Sequence, residues 1–210
     1  MREHRHENVM NSEFKIDYAA GLRPIAGAEY AQVVGVIRAE MPQAWITRYH
    51  RMCSGPTNVL EVSVRDFSYL FDFCTELVEA RELPVGSRED RAVVAYGIAQ
   101  SKKEKRDASR IRGFPGSDDR GDRGHLVAHA AGGGLDINVF HQDAYLNRGW
   151  SPAGKRYREM ERYCAENQGT FFFSRLIYTD ETARPGEIEF GILMPDTSLW
   201  IEVFENSGAA

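Results

Sequence analysis

One stretch in the second half of the chain concentrates side chains suited to acid–base and phosphate chemistry. It begins at Asp122-Arg123-Gly124-His125 and runs to Asn147-Arg148-Gly149. A histidine can take a proton from water near neutral pH, and arginines form paired hydrogen bonds with phosphate oxygens. An asparagine carbonyl oxygen can bind a hard divalent cation, and glycines let the backbone approach a ligand closely. The stretch therefore favours cation-assisted chemistry on a phosphate.

The same stretch resembles the DNA/RNA non-specific endonucleases, a family with a ββα-metal core. Residues 122–125 match the family signature Asp-Arg-Gly-His, and the strands near Tyr178 and Arg184-Pro185 resemble its bacterial polymorphic-toxin branch. The later elements of the family pattern also occur in order: Leu126-Val127-Ala128, Gly132–Gly134, Asn138, Gln142, Asn147-Arg148-Gly149 and Tyr157–Glu161. The resemblance covers about residues 91–194, and several matched elements in order are far more specific than four letters alone.

The resemblance implies a role for each matched residue. His125 would be the general base that activates water, and Arg123 would contact phosphate as part of the catalytic set. Asn147 would bind Mg²⁺ or Mn²⁺ directly, and Glu161 would hold the waters of that cation. Asn138 would organise the site or touch the substrate, and Gln142 would bind the substrate. Arg148 would contact phosphate, or it would be a structural arginine held in a salt bridge. The expected function is metal-dependent hydrolysis of DNA or RNA with little sequence preference.

The choice of Glu161 depends on the helix expected at 151–164. The segment 151–156 makes the spacing from Asn147 to Glu161 longer than the family pattern. Glu159 is the competing acid, because it and Glu161 both lie one position from Met160 and point about 200° apart. Helical geometry does not decide between them, and the family pattern favours Glu161.

Two other functions fit parts of the same sequence. His129 lies four residues after His125, so on a helix the pair could bind zinc, with His141 as a third ligand. Gly132–Gly134 argue against a helix there. The chain could also be a non-catalytic relative that binds nucleic acid.

The charge of the chain is unevenly distributed. The net charge is −5, yet basic residues concentrate in residues 101–162, between two acidic segments. A local basic field can attract a polyanion despite the acidic total. Within this segment Arg106, Arg110 and Arg112 are either a track for nucleic acid or a solvated strand face.

Length and composition set the class of protein. The chain has 210 residues, of which 42% are hydrophobic and 27% charged, as in ordinary globular proteins. It shows no apolar run of the length of a membrane helix and no signal peptide after Met1. The three cysteines suggest reduced thiols. We therefore expect a cytoplasmic protein, or one exported into a target cell without a signal peptide, where the resemblance to toxins implies an immunity protein as partner.

Periodicity predicts an α+β protein: a ββα-metal nuclease core with an antiparallel sheet, preceded by a mostly helical region. The expected units are a flexible tail (1–20), a mostly helical N-terminal region (21–85) and the endonuclease domain (86–210). Helices are predicted over 28–40, 67–81 and 151–164. Strands are predicted over 91–100, 108–111, 170–178, 187–194 and 198–204, and 58–64 is predicted as a strand or a short irregular element. The run Phe171-Phe172-Phe173 is expected in the core rather than as a stacking surface for bases.

Overall fold

The computed structural model of the protein describes residues 14–22, 25, 27–101, 121–134 and 136–206. Its helices are α1 (Tyr18–Leu22), α2 (Tyr30–Met52), α3 (Cys74–Glu79), α4 (Ala144–Arg148) and α5 (Pro152–Glu166). Its strands are β1 (Val59–Val64), β2 (Phe67–Asp72), β3 (Arg91–Ile98), β4 (Gly121–His125), β5 (Val139–Asp143), β6 (Phe171–Ile177), β7 (Glu187–Leu193) and β8 (Leu199–Glu205). The predicted strand at 108–111 and the arginines at 106, 110 and 112 lie outside the described residues, as does the first part of the predicted tail.

Six strands form one antiparallel sheet in the order β1-β2-β3-β6-β7-β8. The central strands β3 and β6 are buried almost throughout, as expected for strands covered on both faces. The strands predicted over 58–64, 91–100, 170–178, 187–194 and 198–204 are all present. The predicted α+β class, with an antiparallel sheet and a helical N-terminal region, is confirmed.

The sheet lies between two helical layers. Phe172 and Phe173 point to opposite faces because side chains alternate along a strand. Phe173 contacts Trp45 of α2, with 5.2 Å between ring centroids. On the other face Phe172 contacts Phe190 at 5.9 Å, and Tyr157 of α5 contacts the same Phe190 at 5.6 Å. The phenylalanine run is therefore core, as predicted, and α5 is held on the face opposite α2.

Helix α2 is longer than predicted. The expected end at Met41-Pro42 is wrong, because the helix continues through Pro42 to Met52. One apolar stripe runs along both sides of the proline at steps of four residues: Val33, Ile37, Met41, Trp45 and Tyr49. Burial of this stripe outweighs the cost of about 3 kcal/mol of a proline inside a helix.

The helix predicted over 67–81 is wrong in its first half. Residues 67–72 form β2, which bonds to β1 on one side and to β3 on the other, and only Cys74–Glu79 is helical. A strand buried on both faces lacks the alternation of polar and apolar residues that marks a half-exposed strand. The turn before it places Arg65 at a φ of 60°, and the strands fold back there as a hairpin.

The N-terminal elements are tied to the rest of the chain. The sheet crosses the predicted boundary between residues 85 and 86, since β2 and β3 are hydrogen-bonded neighbours. Tyr18, inside the predicted tail, is buried, and its hydroxyl donates to Glu189 Oε2 of β7 at 2.5 Å. This part of the predicted flexible tail is therefore anchored.

The aromatic contact between α2 and the sheet gives a test of the fold. Replacing Phe173 with alanine should lower the free energy of unfolding by about 3–5 kcal/mol, because a buried ring is lost and a cavity remains. Leu60 on the edge strand β1 is 47% exposed, so Leu60→Ala should have a much smaller effect. Urea denaturation followed by circular dichroism would measure both, and equal losses would contradict this packing.

Candidate active site

A two-stranded ribbon of β4 and β5 stands apart from the main sheet and leads directly into α4. The ribbon can close only because residue 124 is glycine. A Cβ atom at Gly124 would lie 2.2 Å from the side-chain oxygen of Gln142 and 2.5 Å from its Cβ. Arg123 and His125 are two positions apart on β4, so both project from the opposite face of the ribbon. The signature segment thus presents Arg123 and His125 together.

Helix α4 brings a second pair of polar side chains to the ribbon. Asp143 ends β5 and caps the helix, with Oδ1 accepting from the backbone N–H of Leu146 at 2.9 Å. Gly149, with a φ of 72°, ends the helix after Arg148. This short turn of helix places Asn147 and Arg148 beside β4.

Asp122 orients both of these residues. Its Oδ2 accepts from the side-chain amide of Asn147 at 3.0 Å, and its two oxygens accept from the guanidinium of Arg148 at 2.7 and 2.6 Å. The hydrogen bonds from Arg148, together with that from Asn147, lower the pKa of Asp122. Because the side-chain N–H of Asn147 donates to Asp122, the side-chain carbonyl oxygen of Asn147 is left for another partner.

Helix α5 closes the site from a third direction. Ser151 caps the helix by accepting from the N–H of Gly154 at 2.9 Å. A Cβ at Gly154 would lie 2.4 Å from the carbonyl oxygen of Tyr145, so glycine allows α5 to pack closely against α4. The added residues 151–156 are thereby accommodated in the cap and first turn of α5. The helix buries Tyr157, Met160 and Cys164. Another face of the helix, with Arg158, Glu161 and Arg162, lines the site.

These elements enclose a cleft of about 700 Å³. It brings together most of the predicted site residues: Arg123, His125, Asn147, Arg148 and Glu161. Arg158 and Arg162 of α5 add two more guanidinium groups, so four arginines line the cleft. Such a surface attracts phosphate oxygens.

The cleft distinguishes the two candidate glutamates. Glu161 lines it, and burial raises the pKa of Glu161 to about 7 against the opposing effect of Arg158. A divalent cation nearby would favour its ionised form. Glu159 is exposed and instead pairs with Arg156, with 2.9 Å between Oε2 and the guanidinium. Of the two glutamates, only Glu161 lines the cleft together with His125 and Asn147.

Two of the residues predicted to bind substrate have buried side chains. Asn138 is fully buried, and its side chain accepts from the N–H of Val127 and donates to the carbonyl oxygens of Val127 and Gly134. It organises the loop after His125, which is the other role that the resemblance implied. Gln142 is also buried, packed against Gly124. Neither side chain can touch a substrate in this conformation.

The histidines do not assemble a zinc site. His129 lines the cleft, and its Nδ1 lies 3.3 Å from the carbonyl oxygen of Gly133. His141 is not among the residues that line the cleft. Within the described ranges, no group of three His, Cys, Asp or Glu side chains is placed to hold a metal ion.

Sequence reasoning assigned no role to four residues of this site: Asp122, Trp150, Arg158 and Arg162. Arg158 and Arg162 had a usable signal, because they lie four positions apart, with Glu161 between them, away from the buried stripe of α5. Asp122 belongs to the signature segment, but its partners were not indicated, since they lie 25 and 26 residues away in the chain.

No family model and no curated protein matches the chain. Among solved structures, an extracellular endonuclease is similar to it, with a TM-score of 0.41 and 16% identity over 70% of this chain and 93% of that chain. Within the described residues no helix has the length and apolar character needed to cross a membrane.

Proposed function

We propose that this protein is a divalent-cation-dependent nuclease that hydrolyses phosphodiester bonds of DNA or RNA with little sequence preference. The observation that carries the proposal is the cleft, where β4, α4 and α5 bring His125, Asn147 and Glu161 together beside four arginines. Each group matches a need of the reaction: a proton acceptor, oxygen ligands for a hard cation, and cationic contacts for phosphate.

The donor set of the cleft fits Mg²⁺ or Mn²⁺. The side-chain carbonyl oxygen of Asn147 is not used in the contact with Asp122, and Glu161 lines the same cleft. Hard divalent cations prefer such oxygen ligands and keep several waters. When bound, the cation supplies positive charge where negative charge develops on the phosphate and the leaving oxygen.

The protein's own residues perform the rest of the reaction. The imidazole of His125 takes a proton from a water molecule as the water oxygen attacks phosphorus in line with the P–O3′ bond, and that bond breaks. The leaving O3′ then takes a proton from solvent. Arg123 and Arg148 hold the non-bridging oxygens of the phosphate. Asp122 holds Arg148 at the wall of the cleft, so little side-chain freedom is lost when substrate binds.

Purified protein should cleave plasmid DNA or RNA with added Mg²⁺ and lose this activity in EDTA. The His125→Ala variant, purified in the same way, controls for contaminating nuclease. Cleavage that persists in EDTA would contradict the cation requirement. Binding of nucleic acid without cleavage under any condition would instead indicate a non-catalytic relative.

The two glutamates of α5 provide a matched pair of variants. Glu161→Gln should reduce cleavage about 10–100-fold, the range for losing a group that supports a bound metal. Glu159→Gln should leave cleavage close to wild type, because Glu159 is exposed and pairs with Arg156. Initial rates on a fluorescent oligonucleotide at fixed Mg²⁺ would compare the two, and the reverse order of effects would assign the role to Glu159.

We also propose, from the resemblance to the polymorphic-toxin branch, that the nuclease acts as a toxin held by an immunity protein. Growth after induced expression tests this role separately from the chemistry. Wild-type protein should stop growth, whereas His125→Ala should not. Normal growth with active nuclease would favour a housekeeping or defence role.

A further inference from the structure

Two large aromatic side chains are exposed next to the cleft. Tyr145 is 54% exposed and Trp150 is 59% exposed, and no other Phe, Tyr or Trp side chain in the described ranges is exposed. Their rings touch nearly at right angles, with 5.7 Å between centroids. Elsewhere in these ranges aromatic rings are buried or half-buried. Exposed apolar surface that is contiguous typically marks a binding site, and this pair is such a surface.

The aromatic pair forms the boundary between two depressions of different character. Trp150 belongs to the wall of the arginine-lined cleft, with the guanidinium of Arg148 4.7 Å from its ring centroid. Tyr145 belongs to the wall of a second groove of about 430 Å³. The apolar part of that groove consists of Leu146, Pro152, Ala153, Val203 and Phe204.

The charges of the two depressions also differ. The cleft carries four arginines, whereas the lining of the second groove contains no arginine or lysine and includes the carboxylates of Asp143 and Glu205. Asp143 is buried and caps α4, whereas the carboxylate of Glu205 is exposed. The Glu205 carboxylate would repel a phosphate but could accept hydrogen bonds from the amino groups of a nucleobase. A nucleic-acid strand has the matching groups: a charged phosphate for the cleft and, next to it, a flat, largely apolar base for the groove.

We propose that Tyr145, Trp150 and the adjoining groove bind an unpaired nucleobase next to the phosphate in the cleft, so that single-stranded nucleic acid is the preferred substrate. This inference rests on the proposed function, since it places the phosphate in the same cleft. Bases inside a duplex are stacked on each other and must leave the helix to contact such a surface. Unpaired bases stack on exposed aromatic rings and on arginine planes without a cost of unpairing.

Binding measurements in the cleavage-inactive His125→Ala background test the preference without requiring catalysis. The probes are a fluorescein-labelled single-stranded oligodeoxynucleotide, the same strand with abasic residues at its centre, and the duplex, all in EDTA. The single strand should bind most tightly. Adding Trp150→Ala or Tyr145→Ala should weaken its binding about 5- to 100-fold, the range for losing one base–aromatic stack, and should change binding of the abasic strand much less. Trp150→Leu keeps an apolar side chain without a stacking ring, and it should behave like Trp150→Ala.

The outcomes separate this inference from the proposed function. Equal loss on the normal and abasic strands would mean that Trp150 acts only through Arg148, and it would overturn the base site while leaving the nuclease intact. Equal affinity for single strand and duplex would do the same. Absence of binding to all three probes, both in EDTA and after Mg²⁺ is added, would contradict the proposed function itself. Self-association that Tyr145→Ala abolishes, with no preference for single strands, would assign the surface to a second copy of the chain.

Discussion

Replacing His125 with alanine should reduce the rate of phosphodiester cleavage by about 10²–10⁴-fold, the contribution typical of a general base. The imidazole lies in the cleft at the end of β4, beside the residues that would hold the cation and the phosphate. The loss should appear in the cleavage rate at saturating Mg²⁺ and substrate, because the imidazole that is removed acts on the attacking water and not on substrate binding. Single-turnover kinetics on a labelled oligonucleotide would measure it.

Two controls make this result specific. The melting temperature of His125→Ala should stay close to that of the wild type, which excludes unfolding as the cause. His50 lies exposed near the end of α2, on the helical layer across the sheet from α5, so His50→Ala should retain full activity. Near-wild-type cleavage by His125→Ala would show that another group takes the proton.

Replacing Asn147 with alanine should both slow cleavage and raise the Mg²⁺ concentration required for half-maximal activity. The substitution removes a carbonyl oxygen from a site with few protein ligands for a hard cation. We expect a loss of at least about 10–100-fold at low Mg²⁺, the scale measured for groups that support a bound metal, with partial recovery as Mg²⁺ is raised. A titration of activity against Mg²⁺ for both proteins is the measurement.

Asn147→Asp keeps an oxygen ligand and should retain part of the activity with a changed preference between Mg²⁺ and Mn²⁺. The added carboxylate would also face Asp122, which now accepts a hydrogen bond from the amide. An unchanged Mg²⁺ requirement in Asn147→Ala would move the cation to other residues of the cleft.

The sequence predicted best those features that depend on local spacing. The cap and apolar stripe of α5 were visible as Ser151-Pro152 and as Tyr157, Met160 and Cys164 at helical spacing. The strands β6 and β7 were visible as apolar runs between turns. Where the family pattern chose Glu161 over Glu159, the structure places Glu161 in the cleft.

Features that depend on distant partners could not be predicted in this way. Residues 67–72 carry an apolar pattern that suits a helix, and their pairing with β1 and β3 decides that they form a strand. Pro42 would end an isolated helix, yet the stripe that packs on the sheet continues past it. Asn138 and Gln142 have side chains that suit substrate contacts, and only the fold shows them turned inward.

Because of the Asp122 carboxylate, substitutions at three positions of this site should show epistasis. One side chain accepts from both Asn147 and Arg148, so the effect of a change at any of the three depends on the other two. Residues in one hydrogen-bond network typically couple by about 0.5–3 kcal/mol, so their effects do not add. A lineage that replaced Asp122 would release Asn147 and Arg148 together, and later substitutions at those positions would act on a different background. The three residues should therefore be inherited, lost or redesigned as one unit.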